Sequence, residues 1–269
     1  MLNKDKDAEL NRLKNIKCFF VDLDGTFYLE NRILAGSLEF LQEMQNRGIK
    51  VLFLTNNSSK SSQYYIERLK KMNVKEPFLN ILTSGDAICD YAMQHFPNQK
   101  AFLFANQIVT SDMQEKGLII DNDNPDYVLI TYDTELTYQK MDRVCYYVRQ
   151  GLPYIASHPD FNCPTKYGFA PDIGATIAYI KASTNREPDL IIGKPYAGII
   201  DEALKIMQVK RDEVAMIGDR LYTDVKAGID NDLLGILVLS GETDLAMLEA
   251  SSINPDLIYP SLIDIVADL

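Results

Sequence analysis

Short, uniformly apolar runs separated by helix-length amphipathic segments constrain this chain more than any other feature of it. The runs are Cys18-Phe19-Phe20-Val21, Val51-Leu52-Phe53-Leu54, Ile81-Leu82, Leu190-Ile191-Ile192, Val214-Ala215-Met216-Ile217 and Ile236-Leu237-Val238-Leu239. None alternates apolar with polar, so each reads as a strand covered on both faces, as strands of a parallel sheet are. Between them, Ser37 to Arg47 carries Leu38, Leu41 and Met44 at helical spacing with Gly48 as a stop, and a second stripe places Ile200, Ala203, Leu204 and Met207 together. These stripes read as core packing. The fold class is therefore α/β, with a Rossmann-like parallel-sheet core.

The stretch from about Ser84 to Glu187 repeats the alternation independently. Ala101-Phe102-Leu103-Phe104, Tyr127-Val128-Leu129-Ile130 and Tyr154-Ile155-Ala156 read as strands, and Tyr138 to Arg149 as a helix whose Tyr146 and Tyr147 pack. Thr165 to Ile173 reads as loop, with Gly174 opening the next helix. No chemical motif falls in this middle stretch. The expectation is a core of residues 1–83 and 188–269 interrupted by an inserted α/β domain at 84–187.

Composition narrows the function classes. The 269 residues are 46% apolar and 24% charged, with a formal net charge of −11. Such an acidic chain repels nucleic-acid backbones, and any site for an anion must be made locally positive. Cys18, Cys89, Cys145 and Cys163 match no zinc spacing. The charged N-terminal stretch Met1 to Glu9 has no apolar run of a signal peptide, and no segment is long enough to span a membrane. The expectation is a reduced, cytoplasmic protein that engages neither nucleic acid nor membrane.

Four strand ends carry the chemistry. Asp22-Leu23-Asp24-Gly25-Thr26 follows the first run; two carboxylates two residues apart point the same way in an extended segment and repel unless a cation or proton intervenes. Thr55-Asn56-Asn57-Ser58-Ser59 follows the second, with hydroxyls and N–H groups suited to an anion. Gly193-Lys194-Pro195 offers a point charge to a phosphoryl group, and Gly218-Asp219-Arg220-Leu221-Tyr222-Thr223-Asp224 supplies hard oxygen ligands of the kind magnesium prefers. Singly, these also read as a turn, a helix cap, a solvated lysine and helix-entry residues. Together, in this order and each at a strand end, they describe one site.

In these motifs the chain resembles the haloacid dehalogenase-type phosphohydrolase superfamily, and within it the NagD-like or para-nitrophenylphosphatase-like subgroup. Asp-Leu-Asp-Gly-Thr-Phe-Tyr, Leu-Thr-Asn-Asn-Ser-Ser, Ile-Gly-Lys-Pro, Gly-Asp-Arg-Leu-Tyr-Thr-Asp and Leu-Val-Leu-Ser-Gly carry the resemblance, which spans nearly all of the chain after residue 15. Tyr222 departs from it, since several relatives carry a smaller or polar residue there. The resemblance implies a magnesium-dependent phosphatase of a small phosphorylated metabolite, with a cap inserted between the second and third motifs and, in some members, a homodimer formed through the caps. It implies that Asp22 is the nucleophile, Asp24 the acid and base, and Thr55 and Lys194 the holders of the phosphoryl oxygens, aided by the N–H groups of Leu23 and Asn56. Asp22, the Asp24 carbonyl and Asp219 would hold Mg²⁺, and Asp224 would orient a metal-bound water.

An acid at position 24 fits phosphate transfer better than loss of a halide. A phosphomutase of the superfamily carries a helical cap between the first two motifs, and too few residues separate Asp24 from Phe53 to hold one. A catalytically silent phosphate-ligand sensor is the reading from another class, although no expected acidic, hydroxyl or lysine group is missing. In the cap, Asp160, Asn162 and Asp172 are candidate substrate contacts, and His158 reads as a structural or surface histidine.

Overall fold

The computed structural model describes residues 6–165 and 168–269. The first residues of the charged N-terminal stretch, and Lys166 and Tyr167 in the segment read as loop, lie outside that range. Two compact units emerge: one of residues 1–55, 65–82 and 194–269, the other of 56–64 and 83–193.

The first unit is built on a six-stranded sheet ordered Leu257–Tyr259, Leu234–Val238, Val214–Gly218, Cys18–Val21, Lys50–Thr55 and Ile81–Thr83. Cys18–Val21 pairs in parallel with Lys50–Thr55 on one side and Val214–Gly218 on the other, with Cys18 opposite both Lys50 and Val214. The parallel pairing continues outward through Leu234–Val238 to Leu257–Tyr259. Successive strands leave Cys18–Val21 in one direction early in the chain and in the other late in it. The strand order therefore reverses beside Cys18–Val21, and in open α/β sheets ligands bind beyond the carboxyl ends at such a reversal.

The apolar runs are buried because helices cover both faces of the sheet. All four residues of Cys18–Val21 and all five of Val214–Gly218 and Leu234–Val238 are buried. The helix Ser37–Arg47 has the predicted bounds and ends where Gly48, at φ 68°, returns its N–H to the carbonyls of Gln45 and Met44. Its core face differs from the expected one: Phe40, Leu41 and Met44 are buried and Leu38 is exposed. Phe40 meets Phe19 edge-on at 5.6 Å, and the larger ring takes the inward position. In the helix Ala197–Met207, Ile199 joins Ile200, Ala203 and Met207 on the buried face in place of Leu204.

The second unit carries a four-stranded parallel sheet ordered Leu190–Ile191, Tyr154–Ala156, Tyr127–Ile130 and Ala101–Phe104. Leu190–Ile191 was expected among the core strands; it pairs instead with Tyr154–Ala156, and its residues are only half-buried. The helix Tyr138–Arg149 has the predicted bounds, with Thr137 accepting the Lys140 N–H at its start. Tyr147 packs, whereas Tyr146 is exposed. The segment read as loop contains two strands, Asn162–Thr165 and Gly168–Pro171, paired antiparallel, and the next helix is Ile173–Thr184. Gly and Pro there mark a hairpin with little burial rather than an unstructured loop. Among the described residues no helix is long and apolar enough to cross a membrane.

Candidate active site

Asp22 follows the last residue of Cys18–Val21 and extends its ladder, donating its N–H to the Ile217 carbonyl at 2.9 Å. The chain then turns sharply. Leu23 drives its side chain into the core while its carbonyl accepts the N–H groups of Phe27 and Tyr28 at 2.9 and 3.1 Å. Gly25 sits at φ 89°, a conformation that side chains disfavour. A Cβ there would lie 2.3 Å from Asp219 Oδ2, so this glycine makes room for a carboxylate as well as a turn.

Asp219 and Asp224 leave the end of Val214–Gly218. Asp219 is tied by Thr26 Oγ1, which donates to Oδ1 at 3.1 Å, and by the Glu242 N–H, which donates to Oδ2 at 2.6 Å. Leu221–Val225 forms a π-helical turn, a wide turn that recurs at functional sites, and it leads directly into the helix Lys226–Asp230. This turn brings Asp224 back over Gly218, where a Cβ would lie 2.2 Å from that of Asp224. Tyr222, the departure noted above, points elsewhere: its hydroxyl donates to Glu242 Oε1 at 2.8 Å.

Asp22, Asp219 and Asp224 thus converge, each offering an oxygen within 4.8 Å of the others. Lys194 completes the group. Its Nζ lies 2.6 Å from Asp22 Oδ1, 2.6 Å from Asp224 Oδ1 and 2.9 Å from the Leu54 carbonyl. Only 1% of Lys194 is exposed, which for an ammonium requires this full set of partners.

The electrostatics follow from burial. Desolvation raises the Asp22 carboxyl well above the usual carboxylate range; Lys194 pulls it back, and Asp224 and Asp219 push it up again. Asp219 is raised to about 6, first by burial and then by the Asp224 charge, against the hydrogen bond from Glu242. Lys194 is held above its ordinary value: burial disfavours its charge, but Asp22 and Asp224 outweigh that. Three carboxylates brought this close, with one ammonium among them, offer hard oxygens of the kind a small divalent cation takes. Glycine backbone at Gly25 and Gly241 lines this ligand group, and at both positions a Cβ would strike Asp219 Oδ2.

Asp24 faces another environment. The Tyr28 hydroxyl reaches Asp24 Oδ2 at 3.4 Å, and Arg68 stacks its guanidinium 4.1 Å from the Tyr28 ring centroid and donates to the Tyr28 hydroxyl at 3.1 Å. Burial raises the Asp24 carboxyl, and the Arg68 charge opposes the rise. Tyr28 ends the first motif but was given no role there, and sequence reading missed Arg68 altogether: it stands on the helix Ser62–Lys71, outside every motif, and only the fold brings it here.

Thr55, the last residue of its strand, is buried in the first unit; Asn56 opens the second. Asn56 Nδ2 donates to both carboxylate oxygens of Asp160, at 3.3 and 3.2 Å. Asn162 is exposed at the start of its strand, whereas Asp172 is buried and caps the helix Ile173–Thr184. Asp172 is thereby committed to structure rather than open to a ligand.

An α/β unit with acidic and basic groups gathered at the sheet's reversal point defines a hydrolase of the phosphoryl-transfer type of site. Comparison with known proteins agrees. Residues 19–119 match a family described as haloacid dehalogenase-like hydrolase, and residues 191–265 match a second described as HAD-hydrolase-like. An acid sugar phosphatase of Staphylococcus aureus is 32% identical over 96% of this chain and 99% of that protein. Among solved structures, a 4-nitrophenylphosphatase from Thermotoga maritima is 40% identical with a TM-score of 0.92, covering 95% of this chain and 98% of that one. NagD from Escherichia coli is 31% identical with a TM-score of 0.84, covering 93% and 98%. The chain belongs to the haloacid dehalogenase-like hydrolase family, in its NagD-like subgroup.

Proposed function

We propose that this protein is a magnesium-dependent phosphatase that hydrolyses a small phosphate monoester through an aspartyl-phosphate on Asp22. The observation that carries the reading is the contact of the Asp22 carboxylate with a buried lysine beside two further carboxylates. A carboxylate held this way is fixed in direction, and the site around it gathers the charges that phosphoryl transfer needs.

An Asp22 oxygen attacks phosphorus, and the ester P–O bond breaks as Asp24 gives its proton to the leaving oxygen. Asp24, now a carboxylate, takes a proton from water as that water attacks phosphorus, and Asp22 and inorganic phosphate are released. Lys194 and Thr55, with the N–H groups of Leu23 and Asn56, hold the phosphoryl oxygens. Asp22, the Asp24 carbonyl and Asp219 would hold Mg²⁺, with Asp224 orienting its water; bound there, the ion supplies Lewis-acid stabilisation of the charge on the transferring group.

In this reading the first unit is the catalytic core and the second, which takes in Leu190–Ile191 as well as the expected 84–187, is a cap whose Asp160 and Asn162 contact the part of the substrate beyond the phosphate. The cap also suits a homodimer. The names of the relatives favour a sugar phosphate as substrate. Phosphate release from para-nitrophenyl phosphate and a panel of sugar phosphates, with Mg²⁺ and with a chelator, tests the reading. Metal-dependent release that Asp22→Asn abolishes supports it. Transfer to a second hydroxyl of the sugar points to a mutase, and ligand binding without any turnover to a sensor.

A further inference from the structure

The second unit buries a group of reactive side chains that the proposed chemistry does not use. His158 is wholly buried, with Asp172 on one side and three serines on the other. Its Nε2 donates to Asp172 Oδ1 at 3.1 Å, and the same oxygen accepts the Ile173 N–H at 2.6 Å. Its Nδ1 lies 3.0 Å from Ser157 Oγ, 3.2 Å from Ser84 Oγ and 3.5 Å from Ser58 Oγ.

One placement of protons satisfies the whole group. The Tyr132 N–H donates to Ser58 Oγ at 2.8 Å, Ser58 donates to Ser157 Oγ at 2.9 Å, and Ser157 donates to His158 Nδ1. Ser84 donates to the Asn56 carbonyl. Acid, imidazole and hydroxyl stand in the order of a nucleophilic triad, but the serines and histidine have no exposure and each hydroxyl proton has a fixed acceptor. No ester reaches them.

What the group holds is chain. Ser84 binds the Asn56 carbonyl, and the Gly193 N–H donates to the Ser157 carbonyl at 2.7 Å. A Cβ on Gly193 would lie 2.6 Å from the Ser157 oxygen, 2.7 Å from Asn56 Oδ1 and 2.8 Å from His158 Cβ, so Gly193 is pressed onto the same cluster. Asn56 and Gly193 are the residues at which the chain first enters and last leaves this unit, and their covalent neighbours are Thr55 and Lys194.

We infer that His158 is a positioning residue for phosphoryl binding: anchored by Asp172, it fixes Ser157, whose carbonyl holds the Gly193 N–H, and with Gly193 pressed against Asn56 it thereby sets the backbone of Lys194 and Thr55. The inference rests on the reading that Thr55 and Lys194 hold the phosphoryl group. A misplacement of about 1 Å in such groups costs about 100-fold in rate.

The test compares full-length wild type with His158→Ala, His158→Gln and Ser157→Ala, each checked for folding by near-ultraviolet circular dichroism. Two quantities are read: kcat and KM for para-nitrophenyl phosphate with Mg²⁺, and affinity for inorganic phosphate by calorimetry. His158→Ala is expected to lower kcat/KM by about 10- to 100-fold and to weaken phosphate binding, while Mg²⁺ affinity holds. His158→Gln, which keeps a donor for Asp172, recovers part of the loss, and Ser157→Ala falls between. A folded His158→Ala protein with lower melting temperature but wild-type kcat, KM and phosphate affinity overturns the inference. Should His158→Ala fail to fold, unchanged values in both other variants overturn it equally. A wild type that binds phosphate without turnover counts against the phosphatase reading alone, since the phosphate affinities still decide the role of His158. A wild type that binds no phosphate overturns both.

Discussion

Lys194 Nζ and Asp22 Oδ1 lie 2.6 Å apart, although 172 residues of sequence separate them. Lys194 is buried and Asp22 largely so, and a second, buried carboxylate, Asp224, stands at the same distance from the same nitrogen. One cation therefore restrains two acids that would otherwise repel, and removing it affects both.

Replacing Lys194 by Met is expected to lower kcat by about 10³, because the group that offsets charge on the phosphoryl oxygens is gone. The variant also leaves Asp22 and Asp224 without their countercharge, so the Asp22 carboxyl, already raised by burial, rises further and the protein binds a proton where it formerly held a lysine. Steady-state kinetics with a proton-uptake titration checks both halves.

Tyr28 and Arg68 act on Asp24. Arg68→Ala removes the positive charge that opposes desolvation, so the Asp24 carboxyl rises and the acidic limb of the kcat profile moves to higher pH. Tyr28→Phe removes a hydrogen bond of 3.4 Å and is expected to cost less than about tenfold in kcat. Rates across pH for the three proteins test this.

Asp219 gives a dependence on pH and metal. Its carboxyl is raised to about 6 in the metal-free protein, from an ordinary 3.8. The folded state then binds a proton more tightly than the unfolded chain. This site destabilises the apoprotein above pH 6, by about 3 kcal/mol, and that penalty is relieved as pH falls from 6 toward 4. Mg²⁺ competes with that proton, so its affinity is expected to weaken below pH 6. Calorimetric Mg²⁺ titrations at several pH values, with melting of the chelated protein, read the two effects.

Gly25→Ala places a methyl 2.3 Å from Asp219 Oδ2 and strains a residue at φ 89°. The expected result is about 1–3 kcal/mol of lost stability and a larger loss of Mg²⁺ affinity, since Asp219 must move. Gly117→Ala, also at positive φ but with open space around its Cβ, carries the strain without the displacement and should leave Mg²⁺ affinity intact.

Much of the architecture was legible because burial on both faces leaves an unambiguous signature. Cys18–Val21, Ala101–Phe104, Tyr127–Ile130 and Tyr154–Ala156 have the bounds their apolar runs predict. The four motif segments were legible for a related reason: each polar group follows directly where an apolar run stops. The outer strand Leu257–Tyr259 escaped notice, being three residues long after a Pro-Asp pair. The antiparallel pair of Asn162–Thr165 and Gly168–Pro171 was hidden because none of its described side chains is fully buried, so no face imposes a period.

Within the site, sequence supplied the acids and the lysine but not their surroundings. Arg68 and Tyr28 lie 40 residues apart and meet only in three dimensions. His158 reads alone as a bland histidine, and its ties to Asp172, Ser157 and Ser84 come from segments that the chain brings together on folding. Long-range polar clusters have no spacing rule, and that is why they went unread.

The central claim is that Asp22 carries the phosphoryl group between two steps, with Asp24 needed for the second. Para-nitrophenolate leaves without protonation, so Asp24→Asn should still permit the first step. Rapid mixing of Asp24→Asn with para-nitrophenyl phosphate and Mg²⁺ measures nitrophenolate and phosphate separately. The account predicts a burst of nitrophenolate matching a single turnover, with phosphate release lagging behind it and no burst in Asp22→Asn. Nitrophenolate and phosphate appearing together, or turnover persisting in Asp22→Asn, would contradict it.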